Sequence, residues 1–189
     1  MVEPVAVCVE GLSRIGVESG HKACVVGCGP MGNLCSQILR ARGVQVTAVD
    51  QNPRRLALLF KHDIDTLDAI EDLDQYDYVI EGDGDRPLPI PANVSVPPSK
   101  RLRVGLPYRL PEASRSGTHN SNDVPCGSVA VRDESWREAI RLIEAAVINL
   151  DDHIVEIEPL DAYSKVLSGL ESGEHFNVLL NATPELSAI

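Results

Sequence analysis

Three glycines in the sequence GCGPMG, residues 27–32, have the spacing of a turn that binds a phosphate group. The apolar residues before them predict a buried strand, and the residues after them predict an amphipathic helix that ends at Gly43. In this setting Gly27 allows a tight turn, Gly29 lets the backbone approach a pyrophosphate, and Gly32 lets the helix pack against the strand. Free N–H groups at the helix N-terminus would then face the phosphates.

A carboxylate at the end of the next predicted strand completes this pattern. Asp50 lies eighteen residues after Gly32, where an acid can accept hydrogen bonds from a ribose diol. Strand, glycine turn, helix, second strand and acid follow one another in order, and this order predicts a dinucleotide site. Two alternatives stay open: a glycine turn kept for packing alone, and a nucleoside site for another ligand such as S-adenosylmethionine.

The composition restricts the class of protein. A chain of 189 residues is long enough for one well-buried α/β domain. A content of 43% hydrophobic and 24% charged residues is typical of a globular protein. The net charge of -11 argues against non-specific nucleic-acid binding, which requires a basic surface. No apolar run reaches the roughly 20 residues of a membrane helix, and no signal peptide is recognisable, so no membrane partner is expected.

The five cysteines are odd in number and mostly lie in predicted core elements. This pattern favours reduced thiols and a cytoplasmic location. The spacing of Cys24, Cys28 and Cys35 matches neither a zinc ribbon nor a zinc finger. We therefore expect no metal site and no bound zinc.

Strands and helices alternate along the chain, which predicts an α/β fold. We expect a doubly wound, mostly parallel, Rossmann-like sheet in three layers, with ligand at the carboxyl ends of the strands. Residues 1–189 would form a single dinucleotide-binding domain. Within it, the polar residues 112–127 would be a mobile surface loop, and residues 151–189 a C-terminal closing segment.

Two further expectations concern burial. A helix is predicted over residues 134–146, and its periodicity predicts a buried side formed by Trp136, Ala139, Ile140, Leu142 and Ile143. Four histidines are expected at the surface or at helix ends: His21, His62, His153 and His175.

Six short motifs resemble, in their order, the cofactor-binding domain of the medium-chain dehydrogenases, which include zinc alcohol, sorbitol and threonine dehydrogenases. They are EPVAVC at 3–8, VGCGPMG at 26–32, VDQNPRRL at 49–56, DYVIE at 77–81, VGLP at 104–107 and CGS at 126–128. The residues from Trp136 to Leu180 are similar to the closing segment of the same family. Periodicity leaves residues 3–16 ambiguous between helix and strand, and the resemblance favours a helix.

The resemblance implies a role for individual residues. The three glycines of the turn would bind the pyrophosphate, and Asp50 would hold the ribose and favour NAD over NADP, because a carboxylate repels a 2′-phosphate. The remaining cofactor-binding positions are Pro30 and Met31 against the cofactor, Arg55 near the adenosine, and Val104 with Val124 or Cys126 at the nicotinamide carboxamide.

Members of this family carry a further N-terminal domain that supplies the zinc ligands and the substrate pocket. The resemblance here begins near Glu3, so we expect that domain to be missing from this chain. Two departures from the family pattern also stand out. Asp83 and Asp85 place two carboxylates beside an anionic cofactor, and a segment with five prolines, residues 86–98, replaces a helix.

The sequence assigns no catalytic residue. His119 and Tyr108 are weak candidates because they lie in or beside the loop expected near the nicotinamide. A basic group formed by Lys100, Arg101, Arg103 and Arg109 is either a solvated loop or a site for an acidic ligand. The strand near 127–131 resembles the dimer-forming edge of the family, so a homodimer is expected.

Three hypotheses of function remain open. The chain is a stand-alone NAD(H)-binding module in oxidoreductase chemistry, with a substrate pocket supplied by a separate catalytic subunit or by the loop 107–127. Alternatively, it is a non-catalytic cofactor sensor or assembly subunit. In the third hypothesis it keeps the fold and binds no dinucleotide, because Asp83 and Asp85 oppose binding.

Overall fold

The computed structural model describes residues 1–70, 73, 75–82, 96–104, 126–128, 131–153, 156–172 and 175–182. The chain divides into two compact units, Met1–Ile148 and Asn149–Ile189. The prediction that all 189 residues form a single dinucleotide-binding domain stays a prediction.

The first unit contains a six-stranded sheet in the order β3-β2-β1-β4-β5-β6, in which every described pair is parallel. The strands are β1 Lys22–Val26, β2 Gln45–Val49, β3 Asp65–Leu67, β4 Tyr78–Glu81, β5 Arg101–Val104 and β6 Cys126–Ser128. The chain runs outward from β1 to β3 and then returns to β4 on the other side of β1. This doubly wound order confirms the predicted α/β fold, and it opens a crevice between the carboxyl ends of β1 and β4.

Four helices accompany this sheet: α1 Val2–Arg14, α2 Pro30–Ala41, α3 Pro53–Phe60 and α4 Asp133–Glu144. The helix predicted for residues 3–16 is thereby confirmed. Local signals in the sequence explain several helix ends. The Asn52 side chain accepts a hydrogen bond from the Arg54 N–H (3.0 Å) and caps α3. Gly43, after α2, has the left-handed φ of +77° that favours glycine at this position.

Strand β6 differs in detail from the predicted strand. The strand expected near 127–131 is observed at Cys126–Ser128, and residues 129–130 lie outside the described part of the chain. The predicted loop 112–127 lies, except for its last two residues, outside the described part of the chain.

The described residues of the second unit contain a two-stranded parallel sheet, one α-helix and two short 3-10 helices. The sheet strands and the α-helix are β7 Glu156–Pro159, α5 Tyr163–Ser172 and β8 Val178–Asn181. His153 was expected at the surface or at a helix end; it ends the 3-10 helix Asp151–His153 and is fully buried, with its ring 5.3 Å from the Phe176 ring. His175 was also expected there, yet its side chain is only 11% exposed and its Nδ1 lies 2.8 Å from Glu156 Oε2. The helix-end position of His153 agrees with the prediction, whereas a surface position would have been wrong for it, because burial of a lone histidine depends on tertiary contacts.

No helix in the described ranges is long and apolar enough to span a membrane. Within α4 the buried residues are Ser135 and Ala139. Trp136 and Ile140, which the periodicity placed on the buried side, are 36% and 42% exposed. The prediction for these two residues was wrong, because the contact that α4 makes with α1 is partly polar.

That polar contact is centred on Glu10 of α1, whose side chain is only 1% exposed. Its carboxylate accepts hydrogen bonds from the Ser135 hydroxyl (2.7 Å), from Arg132 Nε (3.0 Å) and from Arg14 Nε (3.0 Å). Burial alone would raise the pKa of Glu10, but these donors lower it to about 2. Glu10 therefore joins α1 to the N-terminus of α4 as an ionised group.

Replacement of Glu10 by Gln should remove an acid-sensitive part of the stability. The folded-state pKa of Glu10 is depressed, from 4.5 to about 2, so its contribution is complete above the unfolded pKa and is lost as the pH falls through that range. We expect E10Q to lower the free energy of unfolding at pH 7 by about 1–3 kcal/mol. The difference from wild type should shrink between pH 4.5 and 2.

Urea denaturation at a series of pH values measures this difference. The matched control is E138Q, because Glu138 is a partly exposed acid on α4 whose ion pair with Arg141 has a distance of 3.6 Å. An E10Q variant that loses no more stability than E138Q would contradict the role given to Glu10.

Candidate functional site

The predicted cofactor residues converge on the carboxyl edge of the parallel sheet. Val26 of β1 lies opposite Val49 of β2 and Glu81 of β4. The next residue on each of these strands is Gly27, Asp50 and Gly82 respectively. The sheet register thus places the glycine turn, the acid and a further glycine next to one another at the crevice.

The glycine turn has the geometry that the sequence predicts. Gly27 has a φ of +86°, a left-handed conformation that favours glycine, and its N–H donates to the Val49 carbonyl at 2.8 Å. A Cβ atom on Gly32 would collide with the Gly27 carbonyl oxygen. These two positions require glycine for different reasons, one for its conformation and the other for space.

The helix that follows the turn begins at the crevice. Gly29 is the N-cap of α2, Pro30 occupies its first turn, and the Asn33 N–H donates to the Gly29 carbonyl at 2.9 Å. The first N–H groups of an α-helix have no carbonyl partner within the helix, and the helix dipole adds partial positive charge there. Met31 and Gly32 lie in this first turn, so the helix end can attract an anionic group.

Asp50 holds the turn in place through its carboxylate. Its Oδ2 accepts a hydrogen bond from the Cys28 N–H (2.7 Å), and its Oδ1 accepts one from the Asn52 N–H (2.7 Å). Arg55 Nη1 lies 3.4 Å from the same Oδ2. The Asp50 side chain is 8% exposed, so these donors compensate a buried charge. Because two carboxylate oxygens offer about four acceptor sites, Asp50 can still accept bonds from a diol.

The remaining contacts around the turn leave an approach open over Gly29. The nearest described atom to a Cβ built on Gly29 is Arg55 Nη1, at 4.0 Å. Arg55 is partly exposed, with 26% of its side chain accessible. The cradle thus combines an open glycine backbone, a helix N-terminus, a carboxylate and a guanidinium. These are the groups that a pyrophosphate and an adenosine ribose require, so the residues fit a dinucleotide.

At the far side of this edge the structure describes fewer of the predicted residues. Val104, at the end of β5, is buried and lies opposite Ser128 of β6, while Cys126 lies opposite Leu102, two residues further from the edge. Val124, His119, Tyr108, Asp83 and Asp85 lie outside the described residues. Their predicted roles stay predictions.

The basic group predicted near residue 100 is distributed among separate contacts. Arg103 donates to Glu81 Oε2 through Nε (2.9 Å) and Nη2 (2.7 Å). Arg101 Nε donates to the Val96 carbonyl at 2.7 Å, and Lys100 Nζ lies 5.2 Å from the centre of the Tyr78 ring. Arg109 is outside the described residues. These contacts favour a structural role over a shared anion site.

The described thiols are buried and poorly suited to nucleophilic chemistry. Burial raises the pKa of Cys24 to about 12, and burial together with the neighbouring Cys35 raises the pKa of Cys8 above its ordinary value. The described part of the chain also holds no group of three or more His, Cys, Asp or Glu side chains that could hold a metal ion.

Sequence reasoning missed one residue of the site, Gly82. A Cβ atom on Gly82 would lie 2.7 Å from the Gly27 carbonyl oxygen and 2.8 Å from Gly32 Cα. The sequence does place Gly82 directly after a predicted buried strand, and this position could have identified it. Gly82 lies outside the glycine-turn motif, however, so the spacing of the motif does not point to it.

No family model matches the chain. Over 94% of its length it is 24% identical to the L-threonine 3-dehydrogenase of Bacillus velezensis, and the match covers 56% of that protein. Over 98% of its length it is 26% identical to the D-arabitol-phosphate dehydrogenase of Enterococcus avium, with 57% of that protein covered.

Solved structures give the same picture of the fold. The L-idonate 5-dehydrogenase of Escherichia coli matches 95% of this chain at a TM-score of 0.72 and 20% identity, with 55% of its own length covered. The galactitol-1-phosphate dehydrogenase of the same species matches 95% of the chain at a TM-score of 0.67 and 16% identity, with 58% covered. The chain thus spans little more than half the length of these relatives. The predicted resemblance to medium-chain zinc-type dehydrogenases is confirmed.

Replacement of Asp50 by Asn should destabilise the loops that follow β1 and β2. An amide has one acceptor oxygen, whereas the carboxylate accepts from two backbone N–H groups, those of Cys28 and Asn52. One of these buried donors would lose its partner, so we expect the free energy of unfolding to fall by about 1–3 kcal/mol. Urea denaturation measures the change. D65N, at an exposed acid of β3, is the control, and an equal loss in both variants would contradict the bridging role.

Proposed function

We propose that this chain binds NAD(H) at the crevice between β1 and β4 and serves as the cofactor module of an oxidoreductase. The observation that carries the proposal is the joint position of the Gly27–Gly32 turn, the α2 N-terminus and Asp50 at one edge of the sheet. Anionic groups are favoured at the helix end, and a diol is favoured at the carboxylate.

The relatives support this assignment through what they have in common. Their names give different substrates: threonine, arabitol phosphate, idonate and galactitol 1-phosphate. All four are dehydrogenases, and each shares with this chain only 55% to 58% of its length. A region common to enzymes of different substrates is expected to supply the common redox cofactor rather than the substrate pocket.

The chain's own residues would bind and orient this cofactor. The N–H groups at the start of α2, with Pro30 and Met31 beside them, would face the pyrophosphate. Asp50 would accept hydrogen bonds from the adenosine ribose, with Arg55 near the adenosine, and the backbone of Val104 would hold the nicotinamide carboxamide. When bound, NAD supplies a carbon that accepts or donates a hydride. The protein supplies orientation.

Titration with NADH and NADPH tests the proposal. Because the Asp50 carboxylate lies in the site, it would repel a 2′-phosphate, so we expect NADH to bind at least about tenfold more tightly than NADPH. Fluorescence of the reduced nicotinamide measures both affinities. G32A is the control variant in which the site is disrupted, because its Cβ would collide with the Gly27 carbonyl. We expect G32A to bind neither nucleotide.

Absence of NADH binding at millimolar concentration in the wild-type protein would contradict the proposal. It would favour the reading in which the fold persists without a dinucleotide, as expected if Asp83 and Asp85 oppose the pyrophosphate. Equal affinity for NADH and NADPH would contradict only the role of Asp50, and not the proposal that the chain binds a dinucleotide.

The substrate pocket has two proposed sources, a separate catalytic subunit or the loop 107–127. A second candidate function is a cofactor sensor or assembly subunit, which binds NAD(H) without turnover. The buried thiols with raised pKa and the paired Arg103 and Glu81 favour it, since these described groups are poorly placed for proton or nucleophile chemistry. Assays of the purified chain with alcohols, polyols and aldehydes test whether the chain has a pocket of its own. Turnover would support the loop 107–127 as the pocket, and NADH binding without turnover supports a sensor or a partner subunit.

We further propose a homodimer formed through the outer side of β6. β6 is at the edge of the sheet formed by the described strands, and an edge strand can pair with a second copy through its backbone N–H and C=O groups. Sedimentation equilibrium should give twice the chain mass of 20.5 kDa at micromolar concentration. A mass of one chain at every concentration would contradict the dimer.

A further inference from the structure

The two strands that border the crevice both end in a glycine. β1 is followed by Gly27 and β4 by Gly82, and the two strands are parallel neighbours. The Gly82 N–H donates to the Val26 carbonyl at 2.8 Å, and the Gly27 N–H donates to the Val49 carbonyl at 2.8 Å. Both glycines therefore extend the hydrogen bonding between neighbouring strands by one residue. Gly82 is hydrogen-bonded to Val26, the residue directly before the glycine turn.

Gly82 is packed directly against that turn. A Cβ built on it would lie 2.7 Å from the Gly27 carbonyl oxygen, 2.8 Å from Gly32 Cα and 3.0 Å from Gly32 N. All three are backbone atoms, which cannot rotate away as the end of a flexible side chain can. The Gly27 carbonyl is thus confined from two sides, by Gly32 and by Gly82.

The need for glycine at this position is one of space. Gly82 has no left-handed φ, in contrast to Gly16 and Gly20, whose Cβ atoms would meet no described atom within 4 Å. Conformational freedom explains those two glycines. At Gly82 the close approach of the first turn of α2 leaves no room for a methyl group.

We propose that Gly82 is a positioning residue for the bound pyrophosphate, an inference that rests on the function proposed above. Its missing side chain lets the N-terminal turn of α2 lie against the ends of both β1 and β4. We expect the N–H groups of Met31 and Gly32 to face the crevice, because the first N–H groups of a helix have no carbonyl partner within it. Any larger residue at position 82 displaces the turn and turns these donors away from a phosphate.

Alanine at position 82 tests the proposal through its selectivity among ligands. G82A should raise the Kd for NADH and for ADP by about tenfold or more, equivalent to ~1.4 kcal/mol. Adenosine carries no phosphate and depends on Asp50, so its Kd should change by less than about twofold. Fluorescence measures NADH, and ligand-observed NMR measures ADP and adenosine.

G169A is the matched control, because a Cβ on Gly169 of α5 would also collide, with the His175 ring in the second unit. It adds a methyl group at another crowded glycine and should leave the three affinities unchanged. Affinities for NADH and ADP that stay at the wild-type value in G82A would overturn the proposal. So would an equal loss for all three ligands, or an equal loss in G169A, because either result indicates general destabilisation.

Amide hydrogen exchange followed by NMR keeps this inference separate from the proposed function. If wild-type protein binds no NADH, the proposed function fails. The amide exchange rates alone then test whether Gly82 positions the glycine turn. The Cys28 and Asn33 amides report the turn, because they donate to Asp50 Oδ2 and to the Gly29 carbonyl. Faster exchange of these two amides in G82A, with no change in G169A, would support the positioning role, and unchanged exchange would overturn it.

Wild-type protein supplies a further measurement if G82A does not fold. Saturating NADH should then slow exchange at Gly82 together with Gly27 and Gly32, because one packed unit is stabilised. An unchanged rate at Gly82 would overturn the inference, and absence of NADH binding would again count against the proposed function alone. In that last case the Gly82 and Gly27 amides of the wild-type protein are compared, because each donates to a strand carbonyl at 2.8 Å. Equal protection supports one packed unit, and much faster exchange at Gly82 would overturn the inference.

Discussion

The close contact between the first turn of α2 and the end of β1 is the constraint on which the site depends. Gly32 lies so near the Gly27 carbonyl that a methyl group cannot fit between them. This contact sets how far the helix N-terminus enters the crevice, and therefore where its N–H groups point. It also requires the left-handed φ of +86° at Gly27, because the chain must turn from strand to helix within a few residues.

Asp50 connects this turn to the rest of the sheet edge. One carboxylate oxygen accepts from Cys28 in the turn and the other from Asn52 at the start of α3. The same group that would bind a ribose therefore already orders the two loops that border it. Such pre-organisation reduces the entropy lost on binding, since the loops need not be fixed by the ligand. Burial of the Asp50 charge is offset by the same donors.

Features that depend on neighbours along the chain could be predicted from the sequence. The glycine turn, the cap of α3 at Asn52 and the end of α2 at Gly43 all arise from local backbone rules. Features that depend on distant residues could not. Glu10 contacts Arg132, 122 positions later, and this pairing makes part of the α1–α4 contact polar. Periodicity therefore predicted burial of Trp136 and Ile140, which are exposed. The burial of His153 has the same kind of cause.

Gly82 shows the same limit at the site itself. Spacing within the motif identifies Gly27, Gly29 and Gly32, because they are separated by a few residues of one turn. Gly82 meets that turn only through the pairing of β4 with β1, fifty-five residues after Gly27. Three physical requirements thus act on four glycines: conformation at Gly27, open approach at Gly29, and space at both Gly32 and Gly82. In this chain α2 approaches the ends of both β1 and β4, and this close approach requires glycine after both strands.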